Sequence, residues 1–260
     1  MLFTIDIGNT YISIGGFDDD NLSFVSNIVT DINKSRDQYA VEIIQIVQLY
    51  EIDRKKVKGA IMCSVVPELS ETIKEALMKV FNVETLIVGP GVKTGLKISI
   101  DNPAQLGGDI VADAVAALDK YPAPCVICDF GTATVFSVID ENKAYCGAII
   151  AAGVGTTLDA LTKKTALLPH VSIQKPESIV GTNTIASVQS GLINGTAAMV
   201  DGIINRLKKE YGEKITVIAT GQYANKIIAS CIESNIIISE HLIFEGLKLI
   251  YLKNEKKRND

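Results

Sequence analysis

Phe3-Thr4-Ile5-Asp6-Ile7-Gly8-Asn9-Thr10 has a counterpart in Val126-Ile127-Cys128-Asp129-Phe130-Gly131-Thr132-Ala133-Thr134, with Asp129 lying 123 positions after Asp6. Each copy is an apolar run, an Asp, an apolar residue, a Gly and then small polar residues. Each leads into a second β-rich run, Tyr11 to Phe17 or Val135 to Ile139. Both of those runs end in an acidic turn, Asp18-Asp19-Asp20 or Asp140-Glu141-Asn142. Short apolar runs bounded by turn residues read as strands, so each copy predicts a β-hairpin. Self-similarity at nearly half of the 260 residues predicts two related halves, 1–118 and 119–260.

Outward from the first hairpin, apolar residues at helical spacing predict a helix over Asp37 to Tyr50. A buried strand follows at Val57 to Val66, a helix at Pro67 to Phe81, a strand at Glu84 to Val88 and a helix at Gly107 to Lys120. After the second hairpin, Ala144 to Ala151 reads as strand, Thr156 to Leu168 as helix and Thr184 to Tyr211 as a long helix with a small-residue interior. Strands at Ile215 to Ala219 and Asn235 to Ile238 alternate with helices at Ala224 to Ser230 and Leu242 to Lys253. This alternation is that of an α/β protein with mixed sheets flanked by helices.

Composition narrows the chemistry. With 47% apolar residues and 21% charged, the chain has ample material for a core, which excludes disordered and fibrous classes. A net charge of −5 offers no basic footprint for a phosphate backbone, so no nucleic-acid partner is expected. Lys253, Lys256, Lys257 and Arg258 are interleaved with acids and Asn, and read as a solvated tail. Two histidines, His170 and His241, are too few for a His-ligated zinc site or a set of imidazole bases, so carboxylates are expected to carry acid and base work. Five cysteines without framework spacing point to a reducing compartment. Cys125 and Cys128 fall on one strand three positions apart, facing opposite sides, and read as buried thiols rather than as a metal pair. The opening Met1-Leu2-Phe3-Thr4 reaches Asp6 before any long apolar stretch, and no run approaches a membrane span. No leader, no membrane association and a cytoplasmic location are therefore expected.

The repeated turn has the chemistry of a phosphate cradle. Gly8 allows close backbone approach to an anion, Asn9 and Thr10 supply neutral donors, and Asp6 can hold Mg²⁺ through its waters. Asp129 to Thr134 supplies a second cradle, and two such hairpins facing across a cleft would hold a nucleoside triphosphate from both sides. A single Asp-x-Gly is an ordinary turn; two copies in matching strand context are not. Gly91-Val92-Lys93-Thr94 lacks the Gly immediately before Lys that a Walker loop needs. Gly153-Val154-Gly155-Thr156-Thr157-Leu158 lacks the third Gly of a dinucleotide fingerprint, but can offer a helix N-terminus to an anion. Asp109, beside Gly107 and Gly108 at a helix start, is the candidate base for a substrate hydroxyl. The other reading, an ordinary acid favoured by the helix dipole, stays open.

At these residues the chain resembles the type III pantothenate kinases of the acetate and sugar kinase, heat-shock ATPase and actin superfamily. The resemblance runs through Asp6-Ile7-Gly8-Asn9-Thr10, Ser64-Val65-Val66-Pro67, Val88-Gly89-Pro90-Gly91-Val92-Lys93-Thr94-Gly95-Leu96, Asp101-Asn102-Pro103, Gly107-Gly108-Asp109, Asp129-Phe130-Gly131-Thr132-Ala133-Thr134 and Gln189-Ser190-Gly191. It implies two actin-like (ribonuclease H-like) halves, a homodimer, and transfer of the ATP γ-phosphoryl group to the hydroxyl of pantothenate, the first step towards coenzyme A. By the same resemblance Asp6, Ile7, Gly8, Asn9, Thr10, Tyr11, Ile12 and Ser13, with Thr132, handle ATP, and Asp109 accepts the proton. Asp129 holds a monovalent cation, K⁺ or NH₄⁺, and Thr184 reaches the substrate of the partner subunit. The helix from Gly191 to Asp201 is the expected dimer contact.

The chain departs from the family on the substrate side. Gly107-Gly108-Asp109-Ile110 stands where the family has Gly-Ala-Asp-Arg, and Ile100 stands where it has Tyr before Asp-Asn-Pro. Thr134-Val135, Ala152-Gly153 and Gly221-Gln222 replace the family's Thr-Thr, Pro-Gly and Gly-Gly. Three readings stand at this stage: a pantothenate kinase with an altered pocket, a paralogue acting on another small hydroxyl compound, and a non-catalytic ATP-binding regulatory protein.

Overall fold

A computed structural model describes residues 1–165, 169, 171–233 and 235–255. His170, the expected helix end at Leu168, and Lys256, Lys257 and Arg258 lie outside the described residues. The chain forms two compact units. One comprises Met1–Leu96, Asn102–Ala116 and the C-terminal stretch from Leu242, and the other comprises Lys97–Asp101 and Ala117–His241.

The first unit is built on β1 (Leu2–Ile7), β2 (Tyr11–Asp18), β3 (Asn21–Val29), β4 (Gly59–Ser64) and β5 (Thr85–Ile87), ordered β3-β2-β1-β4-β5. β1, β2 and β3 form an antiparallel meander, while β4 and β5 add in parallel. β3 was not expected from the sequence. Leu22, Phe24, Ser26 and Ile28 carry its period-two signal, but Ser26 interrupts the apolar alternation.

Helices cover both faces of this sheet. α1 (Arg36–Leu49) starts one residue before the expected Asp37, because Ser35 and Gln38 form a reciprocal capping box. α2 (Pro67–Phe81) has the expected limits: Pro67 opens its first turn and Asn82, at φ +55°, closes it in the left-handed region. Leu69, Ile73, Ala76, Leu77 and Val80 recur on one face of α2 and pack with Phe3, Ile5 and Ile7. Each such Ile or Leu contributes roughly 1.5–3 kcal/mol on burial. β4 is buried on both sides, so successive residues divide between two cores: Ala60 and Met62 join the α1/α2 side, while Ile61 and Cys63 face a core with Val111, Ala112, Leu247 and Ile250. That second core draws on the first half of α3 (Gly108–Lys120) and on the middle of the last helix of the chain (Leu242–Glu255).

The second unit repeats the plan. Its strands are β6 (Lys97–Ile98), β7 (Cys125–Phe130), β8 (Ala133–Ile139), β9 (Ala144–Ala152), β10 (Thr216–Thr220) and β11 (Ile236–Ile238). From β9 the order runs β9-β8-β7-β10-β11, with the same antiparallel meander and the same two parallel additions as in the first unit. β6 is an addition, parallel to β9 through Lys97–Ala144 and Ile98–Tyr145. Both sheets therefore have the actin-like, ribonuclease H-like order that the resemblance implies. α4 (Val154–Lys164), α5 (Thr184–Tyr211) and α6 (Ala224–Ile228) accompany this sheet, and Leu192, Ile193, Ala197, Val200 and Ile204 of α5 pack with Val126, Cys128 and Phe130. Asn183 caps α5 by accepting from the Ala186 amide at 2.9 Å, and Gly212, at φ +97°, ends it at the expected residue.

The C-terminal helix, α7 (Leu242–Glu255), belongs with the first unit although the sequence divides at its midpoint. The reason is packing at close range. Gly246 lies against the backbone of Ala112, Phe244 against Gly15, and Tyr251 against Gly59. Asn254 ties α7 to the loop before β6, accepting from the Lys93 amide at 3.1 Å and donating to its carbonyl at 3.0 Å. Cys125 and Cys128 are buried as expected. Burial pushes the Cys125 thiol up to about 12 and raises Cys128 further, so both stay protonated at neutral pH.

Candidate active site

In the first unit the strand register puts Asp6 level with Ser13 on β2 and with Cys63 on β4. The turn after β1 is closed by the Gly8 amide, which donates to the Tyr11 carbonyl at 3.0 Å. That amide is committed to the hairpin, so the role of Gly8 is steric: a Cβ there would stand 3.1 Å from the Tyr11 carbonyl. Asn9, Thr10 and Tyr11 are exposed at the turn, whereas Ile7 and Ile12 are fully buried and offer only their backbones to a nucleotide. Thr30, a residue the sequence reading did not single out, braces this turn. Its hydroxyl donates to the Gly8 carbonyl at 2.7 Å and its amide to the Thr10 carbonyl at 3.1 Å.

Asp109 occupies the first turn of α3, and the two glycines before it have packing reasons. A side chain on Gly107 would collide with the Asp109 carboxylate, and one on Gly108 would begin 3.0 Å from Cys63 Cβ and 3.4 Å from Val88 Cβ. The Gly pair therefore seats the helix start against β4 and β5, and leaves the carboxylate folded back over Gly107. Asp109 Oδ1 is buried with no hydrogen-bond partner among the described residues. A buried acceptor left unmet costs roughly 1–3 kcal/mol, which suits a group whose partner arrives with the substrate.

Two further groups complete this cluster, and neither stands in a motif that its residue type announces. Asp113, one turn after Asp109 on α3, is only 6% exposed. Cys63 donates to Asp6 Oδ1 with Sγ at 3.4 Å. Burial, foremost, then the charges of Asp6, Asp109 and Asp113 push the Cys63 thiol well above its ordinary value, which keeps it a donor. Ile110 follows Asp109 on α3 and is half-buried.

In the second unit Asp129 is the next-to-last residue of β7, level with Val135 on β8 and Thr220 on β10. The Gly131 amide donates to the Ala133 carbonyl at 3.0 Å, the counterpart of the Gly8 closure. Thr132 is exposed, and its carbonyl accepts from the Gly153 amide at 3.1 Å and the Thr156 hydroxyl at 2.7 Å. A Cβ on Gly153 would collide with the Gly131 and Thr132 carbonyls, and one on Gly221, at φ +90°, with the Asp129 carboxylate and the Phe130 backbone. The 129–134 turn is thus wrapped by the start of α4 and by the turn after β10. Both glycines are required for close approach. Ile100, half-buried, follows β6, and Thr184 is exposed at the first position of α5.

These donor sets suit oxygen-seeking cations. Asp6 is the next-to-last residue of β1, and among the described residues no group of three His, Cys, Asp or Glu side chains forms a metal cage. A carboxylate in such a place could hold Mg²⁺ through its waters. Asp129 offers hard oxygen donors of the kind that could hold a monovalent cation. Among the described residues no helix is long and apolar enough to cross a membrane.

The family profile described as Type III pantothenate kinase matches residues 2–206. Among curated proteins, the Type III pantothenate kinase of Exiguobacterium sp. (strain ATCC BAA-1283 / AT1b) is 41% identical over 98% of this chain and 100% of its own length. That of Brevibacillus brevis is 40% identical, again over 98% of this chain and 100% of its own. Among solved structures, the activator of the 2-hydroxyisocaproyl-CoA dehydratase from Clostridium difficile, with bound ADPNP, shares the fold at a TM-score of 0.53 and 12% identity. That match covers 99% of this chain and 98% of the other.

Proposed function

The chain belongs to the type III pantothenate kinase family, and on that premise we propose that it transfers the γ-phosphoryl group of ATP to the hydroxyl of pantothenate, the first step of coenzyme A synthesis. The observation that carries the chemistry is Asp109: a buried, unmet carboxylate oxygen at a helix start, on the unit that also carries Asp6. Asp109 takes the proton of the hydroxyl as that oxygen forms its bond to the γ-phosphorus and the bond to the ADP oxygen breaks. Asp6, Gly8, Asn9, Thr10, Tyr11 and Ser13, with the backbones of Ile7 and Ile12, serve the nucleotide on the first unit. Thr132 does so on the second. Asp6 holds Mg²⁺ through water and Asp129 holds K⁺ or NH₄⁺; bound cations neutralise phosphate charge. Gly107, Gly108 and Ile110 serve the acceptor on the first unit, and Ile100 does so on the second.

We infer a homodimer in which Thr184 serves the partner's substrate. Support comes from α5, where Gly191, Gly195 and Ala198 are exposed at helical spacing and open space lies beyond both glycines. Exposed Ile149, Ile150, Ile179 and Val180 in the same unit add apolar surface of the kind an interface covers.

ADP release with ATP, Mg²⁺ and K⁺ is expected to depend on pantothenate, with a phosphorylated pantothenate product seen by mass spectrometry. Tight ATP binding without pantothenate-dependent ADP would remove this substrate and favour another hydroxyl acceptor. Ile110 and Ile100 replace polar contacts, and a charge-assisted hydrogen bond is worth about 1.5–3 kcal/mol, or one to two decades of affinity. Ile110→Arg with Ile100→Tyr is therefore expected to lower the pantothenate KM ten- to hundredfold at unchanged ATP KM. An unchanged pantothenate KM would show that these positions do not read the substrate.

A further inference from the structure

The hydrogen bonds at the turn after β1 fall on different peptides. The Gly8 amide, which donates to the Tyr11 carbonyl at 3.0 Å, belongs to the Ile7–Gly8 peptide. The Thr10 carbonyl, which accepts from the Thr30 amide at 3.1 Å, belongs to the Thr10–Tyr11 peptide and continues the β2/β3 ladder. Between them, the Gly8–Asn9 peptide is held through its carbonyl, which accepts from the Thr30 hydroxyl at 2.7 Å. Thr30 is half-buried directly after β3 and reaches this peptide across 22 positions. In a trans peptide the C=O and N–H point in opposite directions, so fixing the Gly8 carbonyl towards Thr30 turns the Asn9 N–H away from it. That amide donates to no acceptor among the described residues, and Asn9 is exposed.

We propose that Thr30 is a positioning residue for the nucleotide: its hydroxyl sets the Gly8–Asn9 peptide so that the Asn9 amide meets an ATP phosphate oxygen. Backbone N–H groups at a turn bind an anion only when their peptides present the nitrogen side. Glycine, without a Cβ, leaves this peptide more freedom to turn over than another residue would, and the Thr30 bond removes that freedom. The two neighbouring bonds do not replace it, because each acts on another peptide plane. A misaimed donor forfeits a charge-assisted hydrogen bond, worth about one to two decades of affinity, and the low end applies because the released peptide still visits the binding orientation. The inference rests on the assignment of this turn to ATP made above.

The test is MgATP binding by the full chain, read by calorimetry for wild type, Thr30→Val and Thr30→Ser, with the KM values for ATP and pantothenate taken on the same preparations. Val keeps the branched shape and the ladder amide and removes only the hydroxyl. It is expected to raise the Kd and KM of ATP about tenfold and to leave the pantothenate KM within about twofold. Ser restores the donor and is expected to bring ATP affinity back to within about threefold of wild type. Wild-type ATP affinity in Val, a Ser variant as impaired as Val, or an equal rise in both KM values, the mark of a general loosening, would each overturn the proposal. A wild-type protein that binds no MgATP would remove the nucleotide role of the turn and this proposal with it. One that binds MgATP but leaves pantothenate untouched overturns only the acceptor assignment, and the calorimetric comparison still decides the role of Thr30.

Discussion

Asp109→Asn is expected to lower kcat by about two to four decades while MgATP affinity stays within about twofold, because general-base catalysis is worth that much and Asn cannot take a proton. The substitution is close to isosteric. Gly107 and Gly108 keep their contacts, and a side-chain amide at a helix start is as well tolerated as a carboxylate, so the fold is expected to survive. The alternative role for Asp109, an acid that merely complements the dipole of α3, is worth about 0.3–1 kcal/mol of stability and predicts no loss of turnover. Coupled ADP release gives kcat, and calorimetry gives ATP affinity on the same preparation. A kcat within a few-fold of wild type would take Asp109 out of the chemistry. A parallel loss of ATP affinity would make it a nucleotide ligand instead.

Gly246→Ala is expected to destabilise the protein by about 2–3 kcal/mol, near the upper end for overpacking, since the added methyl meets backbone rather than a side chain that can swing aside. The position is on the buried side of α7, and the new Cβ would run into the carbonyl of Ala112 on α3, with Ala112 Cα at 3.0 Å. Relief requires one helix to move, and α7 also seats Phe244 against Gly15 and Tyr251 against Gly59. A change of that size lowers Tm by roughly 5–10 °C for a unit of this length, measurable by calorimetric or fluorescence melting. A Tm unchanged within a degree would mean that α7 is not held against α3 as closely as the packing requires.

Much of the architecture was legible because its signals are local. Pro67, Asn183 and Gly212 act through their own backbone angles and hydrogen bonds, and the helices they bound begin or end where the residues say. The doubled Asp-x-Gly hairpin foretold two related halves, each opening with a hairpin. β3 was missed because Ser26 breaks its alternation, and β6 because two residues cannot display a period. At the site, Asp109 and the two Asp-bearing turns carry recognisable residue types at recognisable turns. Thr30, Cys63 and Asp113 do not: a Thr after a strand, a Cys within one and an Asp inside a helix are each unremarkable until a neighbour is known.

By itself, then, the sequence determined most of the strands and helices, that the plan occurs twice, and which carboxylates stand near the end of the first strand of each copy. Those properties depend on side-chain period and turn chemistry over a few adjacent residues. Only the tertiary structure decided that Cys63 meets Asp6 across 57 positions, that Gly108 is a glycine because Cys63 and Val88 stand behind it, and that α7 returns to the first unit. Such contacts follow from strand register and from the exact fit of distant surfaces, and neither leaves a period in the chain.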